Sequence, residues 1–395
     1  MTNAFRLSWR HLSFNRLRTS ILILCLTLAI VLPLCMQLLV TRFQTRLRDR
    51  ASSTPLVIGA PGSELNLVVN SLYFDSAAPP MITMEAFDYV RDSGLATPIP
   101  LHIRYTAKND YRVVGTNIEY FAFRKSKIRQ GRPLQQLGDC VLGATVATEL
   151  DLEPGDTLLS DSENVYDLAG SYPLKMHVVG VLAPSNTPDD RAVFIDVRTA
   201  WIIDGIGHGH QNVAKSHDED VVLDRDEKNR TVTASAAIEQ FMEITDENLA
   251  SFHFHGKPSD FPVTSVIAVP KDTASGIKLM GRYVSDDSKH TIAEPAEIVE
   301  QLLAIVLRIR QFFSVASWLI AVVTGLFLVL VTLLTLRLRQ REMQTMFKLG
   351  CSKGTIVQLQ IAELVIVLVV SLLLAGSIAA LVQHFGSDLI RRIVF

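Results

Sequence analysis

Neutral imidazole is a good ligand for zinc and its neighbours among the transition metals. Half of the ten histidines in this 395-residue chain fall in one stretch. Residues 208–220 read HGHQNVAKSHDED, which sets His208, His210 and His217 beside Asp218, Glu219 and Asp220. A little further on, FHFH supplies His253 and His255. On a strand, positions i and i+2 share a face, so the last two imidazoles can reach one ion. Nitrogen and carboxylate donors together suit zinc or another transition metal. His208, His210, His217, Asp218, His253 and His255 are therefore the candidate metal ligands. The spacing matches no established zinc signature, and Gly207 and Gly209 read as flexibility. A solvated polar loop is the competing reading.

Other chemistry is harder to find. GCSKGT at 350–355 lacks the spacing of a phosphate-binding P-loop, so this chain is not expected to hydrolyse ATP. Neither HExxH nor GxSxG occurs, and no catalytic constellation emerges. The chain reads as non-catalytic, with no cofactor unless zinc occupies the histidines. The formal net charge of −2 points away from a nucleic-acid partner. Of the four cysteines, only Cys140 lies outside the apolar runs and the basic loop between them, which excludes a disulfide within the large middle region.

The elements that must position these residues begin with three apolar runs, over 20–42, 312–336 and 355–383. Each exceeds the ~20 residues that a helix needs to cross a bilayer. The first is too long for a signal-peptide core and no small-residue cleavage pattern follows it. Arg6, Arg10, Arg16 and Arg18 precede it without an acid. The loop 337–354 holds Arg337, Arg339, Arg341, Lys348 and Lys353 against a single Glu342. Both basic segments belong on the cytoplasmic side, which places residues 43–305 outside. Arg42, Arg46, Arg48 and Arg50 argue the other way, but long loops translocate largely regardless of charge.

The expected fold is a membrane protein with three transmembrane helices. A large α/β or α+β extracytoplasmic domain is inserted between the first and second. Strands are predicted over 55–59, 111–116, 139–143, 174–182, 192–196 and 263–269, and helices over 84–93, 144–150, 197–204 and 234–243. The polar stretch 205–260 reads as a surface insertion. Residues 1–19 read as a basic amphipathic segment, with Phe5, Trp9 and Leu12 toward lipid, or as no more than the charged flank of the first apolar run. Residues 292–311 read as a helix that continues directly into the second run, making a rod across the membrane surface.

Three segments together resemble the MacB/FtsX-like permease family of ABC transporters. They are FRLSWRHLSFNRLRTSILILCLTLAI at the start, the stretch from VIGAPGSELNLVVNSLYF through VLGATVATELDLEPGDTL to YPLKMHVVGVLAPSNTPDDRAVFIDVRTAW, and LRQREMQTMFKLGCSKGTIVQLQIAELVIV at 338–367. The resemblance implies a MacB-like core over 43–305 and an FtsX-like permease region over 306–395. It also implies a separate cytoplasmic ABC ATPase, a second permease copy or homologue, an envelope partner beyond the membrane, and residence in the bacterial inner membrane. Substrate need not pass between the helices.

Residues 342–349 can form a short helix presenting Met343, Met346, Phe347 and Leu349, with Gly350 placed to end it. By chemistry alone this helix either docks in a groove or lies on lipid. The resemblance implies docking on the ATPase, through Arg341, Glu342, Met343, Met346, Phe347, Lys348, Leu349 and Gly350. Glu363 lies early in the third run, where a carboxylate must face other helices or the headgroup layer. The family pattern leads to the expectation of four spans, one more than the sequence shows before Phe395. The alternative function is a membrane-anchored regulator or adaptor that senses a metal or a protein.

Overall fold

A computed structural model describes residues 2–75, 78–161, 173–210, 222–226, 231–234, 241–284, 289–338, 340–348 and 352–394. The chain divides into two compact units, Met1–Arg46 with Gln301–Val394, and Leu47–Glu300. Its helices are α1 (Thr2–Phe14), α2 (Arg16–Ser52), α3 (Glu64–Tyr73), α4 (Glu85–Ser93), α5 (Ile118–Arg124), α6 (Ala144–Leu150), α7 (Val197–Ile203), α8 (Thr273–Tyr283), α9 (Pro295–Leu338), α10 (Gln340–Lys348) and α11 (Lys353–Val394).

Among the described residues, three helical segments are long and apolar enough to cross a membrane: Arg16–Ser52, Ser314–Val331 and Val357–Gln383. In this unit α1 lays a small polar face on α11. Ser8 Oγ donates to the Leu359 carbonyl at 3.0 Å, and His11, one turn on, also points at α11. The larger side chains Phe5, Leu7 and Trp9 stay exposed, as a lipid-facing surface requires. Ser371 of α11 donates to the Ile23 carbonyl of α2 at 3.3 Å. Pro33 lies inside α2, beside a cavity of about 390 Å³ that Gln37, Ser314, Ser317 and Trp318 help to line. Pro295 opens α9 at the position where a missing N–H costs nothing. From there the helix runs unbroken to Leu338.

Among the described residues, the other unit holds two larger sheets and three two-stranded ones. The first has four antiparallel strands in the order Thr291–Ala293, Leu56–Gly59, Ser265–Pro270, Ala96–Leu101. Its register pairs Val57 with Ile267 and Ile267 with Ile99. The second is a seven-stranded mixed sheet. In it Ala192–Asp196 runs parallel to Tyr111–Thr116 and antiparallel to Asp139–Leu142, which is parallel to Lys175–Leu182. Helix α7 feeds two hydrophobic cores. Ala200, Ile202 and Ile203 enter one, and Val197 and Trp201 enter the other. Val197 and Trp201 are four positions apart and so share one face of the helix. Asp196 caps α7 by accepting from the Arg198 amide.

Three features differ from the sequence reading. Ala96–Leu101 (ATPIPL) is a strand despite Pro98 and Pro100. It lies at the sheet edge, where a proline removes no ladder bond that the sheet requires. The stretch 205–260 is not simply a loop, because Gly207–Gly209 pairs with Phe252–Phe254, and Val222–Asp226 with Thr231–Ala234. Where a helix is predicted over 234–243, Ala234 ends a strand and residues 235–240 lie outside the described residues.

Candidate functional site

The histidines meet on the two-stranded ribbon. Its antiparallel register sets His208 directly opposite His253, Gly207 opposite Phe254 and Gly209 opposite Phe252. Alternation then sends His208, His210, His253 and His255 to one face and the phenylalanines to the other. Phe252 and Phe254 pack against one hydrophobic core, and Phe254 reaches the other as well. Each phenylalanine lies over the glycine opposite. A Cβ on Gly207 would come within 2.6 Å of the Phe254 ring, and one on Gly209 within 2.7 Å of the Phe252 ring. The glycines are thus seats for aromatic rings, which corrects the reading of Gly207 and Gly209 as flexible points.

On the outer face the imidazole centroids of His208 lie 4.8 Å from His253, 4.9 Å from His255 and 5.8 Å from His210. His208, His210 and His253 can each offer a ligand atom such that all three lie within 4.8 Å of one another. Nδ1 of His253 donates to the Ser251 carbonyl at 3.0 Å, which leaves the Nε2 lone pair of the neutral ring outward. Partial burial, followed by the charges of His253, His255 and His210, holds His208 below the usual histidine pKa. His217 and Asp218 lie outside the described residues.

A second set of polar groups lies at the end of α2. Arg50 is fully buried and grips Asp189 with two nitrogens, at 2.7 and 3.0 Å. It also donates to the Leu72 carbonyl and the Tyr120 hydroxyl, each at 3.0 Å. Tyr120 in turn donates to Asp189 at 2.7 Å. Burial alone would raise the Asp189 pKa, but Arg50, Arg124 and Tyr120 outweigh it and hold the carboxyl below its usual range. Nearby, Arg48 forms an exposed bidentate pair with Glu300, and Arg42 donates to the Gln383 carbonyl at 2.8 Å. Three of the four arginines that argued against the topology are therefore engaged by protein groups. Nothing local in the sequence marks Asp189 as the partner of Arg50, since 139 positions separate them.

Arg341, Glu342, Met343, Met346, Phe347 and Lys348 all fall in α10. Phe347 is 54% exposed. Leu349 and Gly350 lie outside the described residues. Glu363 is buried, with its Oε1 2.9 Å from Nδ1 of His11 on α1. The carboxylate faces another helix, as a charge in this position requires. His102 and Asp204 form a buried contact at 3.1 Å, extended by Tyr105 and braced by the Pro262 carbonyl on Nδ1. Their side chains are 0% and 4% exposed, so no substrate reaches them and the group braces the domain.

Residues 19–241 match the family of the MacB-like periplasmic core domain, more than half of the chain. The chain belongs to that family. The MacB-like core lies in a membrane protein with an extracytoplasmic α/β domain, of the ABC-type transporter permease family. Membership implies a non-catalytic transmembrane subunit in a family that works with a cytoplasmic ABC ATPase. Among solved structures, the periplasmic region of MacB from Actinobacillus actinomycetemcomitans is similar at 11% identity, with a TM-score of 0.35 over 65% of this chain and 97% of that one. The extracellular domain of the noncanonic ABC-type transporter YknZ from Gram-positive bacteria is similar at 11% identity, with a TM-score of 0.33 over 61% and 99%. No curated protein matches. The match to the MacB-like core takes in His208 and His210 but ends before His253 and His255.

Proposed function

We propose that this chain is the permease subunit of an ABC-type machine of the bacterial inner membrane. It transmits ATP-driven motion from a separate ATPase to its extracytoplasmic domain, for export, extraction or envelope remodelling. The match of residues 19–241 to the MacB-like core carries this reading. Two features of the chain support it. Helices α2 and α9 each run without interruption from an apolar stretch into residues of the folded domain. On this reading these helices carry movement between the membrane and the domain. Between the second and third apolar helices lies α10, short, basic at its end and with Phe347 exposed. An apolar knob in a polar collar is the shape that docks in a groove. On this reading three helices cross the membrane, α10 meets the ATPase, and a second permease copy or homologue completes the machine.

Pull-down of the full chain from native membranes tests this directly. The expected companion is an ATPase with Walker motifs, and Phe347→Glu or Met346→Glu is expected to reduce its recovery at least several-fold. Recovery of the ATPase at wild-type yield with either variant would count against docking through α10. Absence of any ATPase from the wild-type complex would count against the permease reading itself.

A further inference from the structure

We propose that His208, His210 and His253, with His255 beside them, form a binding site for a divalent transition cation of the zinc class. Four imidazoles share one face of a ribbon whose other face is pinned by Phe252 and Phe254 to the hydrophobic cores. The backbone that carries the ligands is therefore held before any ion arrives, which lowers the ordering cost of binding. A tetrahedral site with metal–nitrogen bonds of ~2.0–2.1 Å spaces its ligand atoms about 3.4 Å apart. Ligand atoms within 4.8 Å of one another close to that spacing by rotation of the rings. The Ser251 carbonyl fixes the tautomer of His253 and aims Nε2 outward, the second contact that metal-bound histidines commonly make.

Donor chemistry sets the class of ion. Among the described residues the group is imidazole only. Calcium and magnesium need oxygen ligands, whereas zinc, cobalt, nickel and copper accept nitrogen. His255 is exposed and supplies a fourth nitrogen or leaves that position to water. Binding also has a mechanical consequence. An ion held by His208 on one strand and His253 on the other adds a cross-strand link to the ribbon. An ion that binds the folded ribbon and not the unfolded chain stabilises the fold.

The test uses the full chain, purified in detergent and stripped of metal with a chelator. Zn²⁺ is titrated by calorimetry, and Co²⁺ by its visible absorption, which distinguishes tetrahedral from octahedral sites. One ion per chain is expected, with a Kd in the micromolar range or below, a higher melting temperature with Zn²⁺, and an imidazole-dominated shell by X-ray absorption. His208→Gln and His253→Gln are each expected to weaken binding by about tenfold or more, since loss of even an outer-shell partner costs a metal site that much. His290→Gln, outside the ribbon, is expected to leave binding unchanged. Either of two titration results overturns the proposal: no saturable uptake at micromolar metal, or wild-type stoichiometry and affinity in the His208→Gln/His253→Gln double variant, which means an adventitious ion only. The X-ray absorption measurement needs no variant, and an oxygen-dominated shell on the wild-type chain overturns the proposal as well.

Discussion

Arg50 and Arg48 are two positions apart on α2, carry the same charge and do different work. Arg48 and Glu300 expose 55% and 59% of their side chains, so water and salt screen the pair to about 0–1 kcal/mol. Arg50 and Asp189 are buried, at 6% and 7%. Removing one partner there strands the other charge away from water, at a cost of about 3–5 kcal/mol. Arg50→Ala is expected to destabilise the domain by that amount, and Arg48→Ala by less than about 1 kcal/mol. The double variant Arg50→Met/Asp189→Leu should recover part of the loss, because neither member of the pair is left without the other, while Arg124 still loses the nearby carboxylate. Denaturant unfolding of the full chain, read by Trp201 fluorescence after Trp9→Phe and Trp318→Phe, measures all three; equal losses for Arg48→Ala and Arg50→Ala would refute the assignment. The folded Asp189 carboxyl lies below its unfolded value of about 3.9. Its contribution is therefore complete above that value and is lost as the pH falls through the folded one.

At the scale of elements, two glycines set how closely chains approach. Gly143 caps α6 at the end of the Asp139–Leu142 strand. A Cβ there would fall 2.2 Å from the Asp189 carbonyl oxygen and 2.5 Å from the Asp190 carbonyl carbon. Those are backbone atoms of the Pro188–Arg191 turn that presents Asp189 to Arg50, and they cannot rotate aside. At Gly207 the obstacle is the Phe254 ring, which can tilt within a half-buried site. Overpacking of this kind costs about 1–3 kcal/mol where a side chain can give, and more where it cannot. Gly143→Ala is thus expected to destabilise the domain more than Gly207→Ala, by thermal melting of the full chain. The reverse order would mean that the turn, not the ring, is the part that yields.

For the whole molecule, the placement of charge decides which side each part faces. The loop between the second and third apolar helices is basic, whereas Arg42, Arg48 and Arg50 are spent on Gln383, Glu300 and Asp189. A cysteine introduced at Lys257, exposed in the domain, should react with a membrane-impermeant maleimide on intact cells. One at Phe347 in α10 should react only after the membrane is opened. The background replaces Cys25, Cys35, Cys140 and Cys351 by Ser. Labelling of the Phe347 position on intact cells, with protection of the Lys257 position, would invert the topology.

What was legible in the sequence is what depends on neighbours in the chain. Apolar runs longer than a bilayer, strands such as Tyr111–Thr116 and Ala192–Asp196, and helices such as α4 and α7 carry their own periodicity, so reading them needs no knowledge of the fold. The histidines were visible too, since their residue type states their chemistry. Tertiary structure alone decided that His208 faces His253, because cross-strand register depends on which glycine seats which phenylalanine. It alone joined Arg50 to Asp189, and turned Glu363 toward His11. These are contacts between residues 45 to 352 positions apart. No local pattern encodes such a contact, because burial and packing select the partner after the chain has folded.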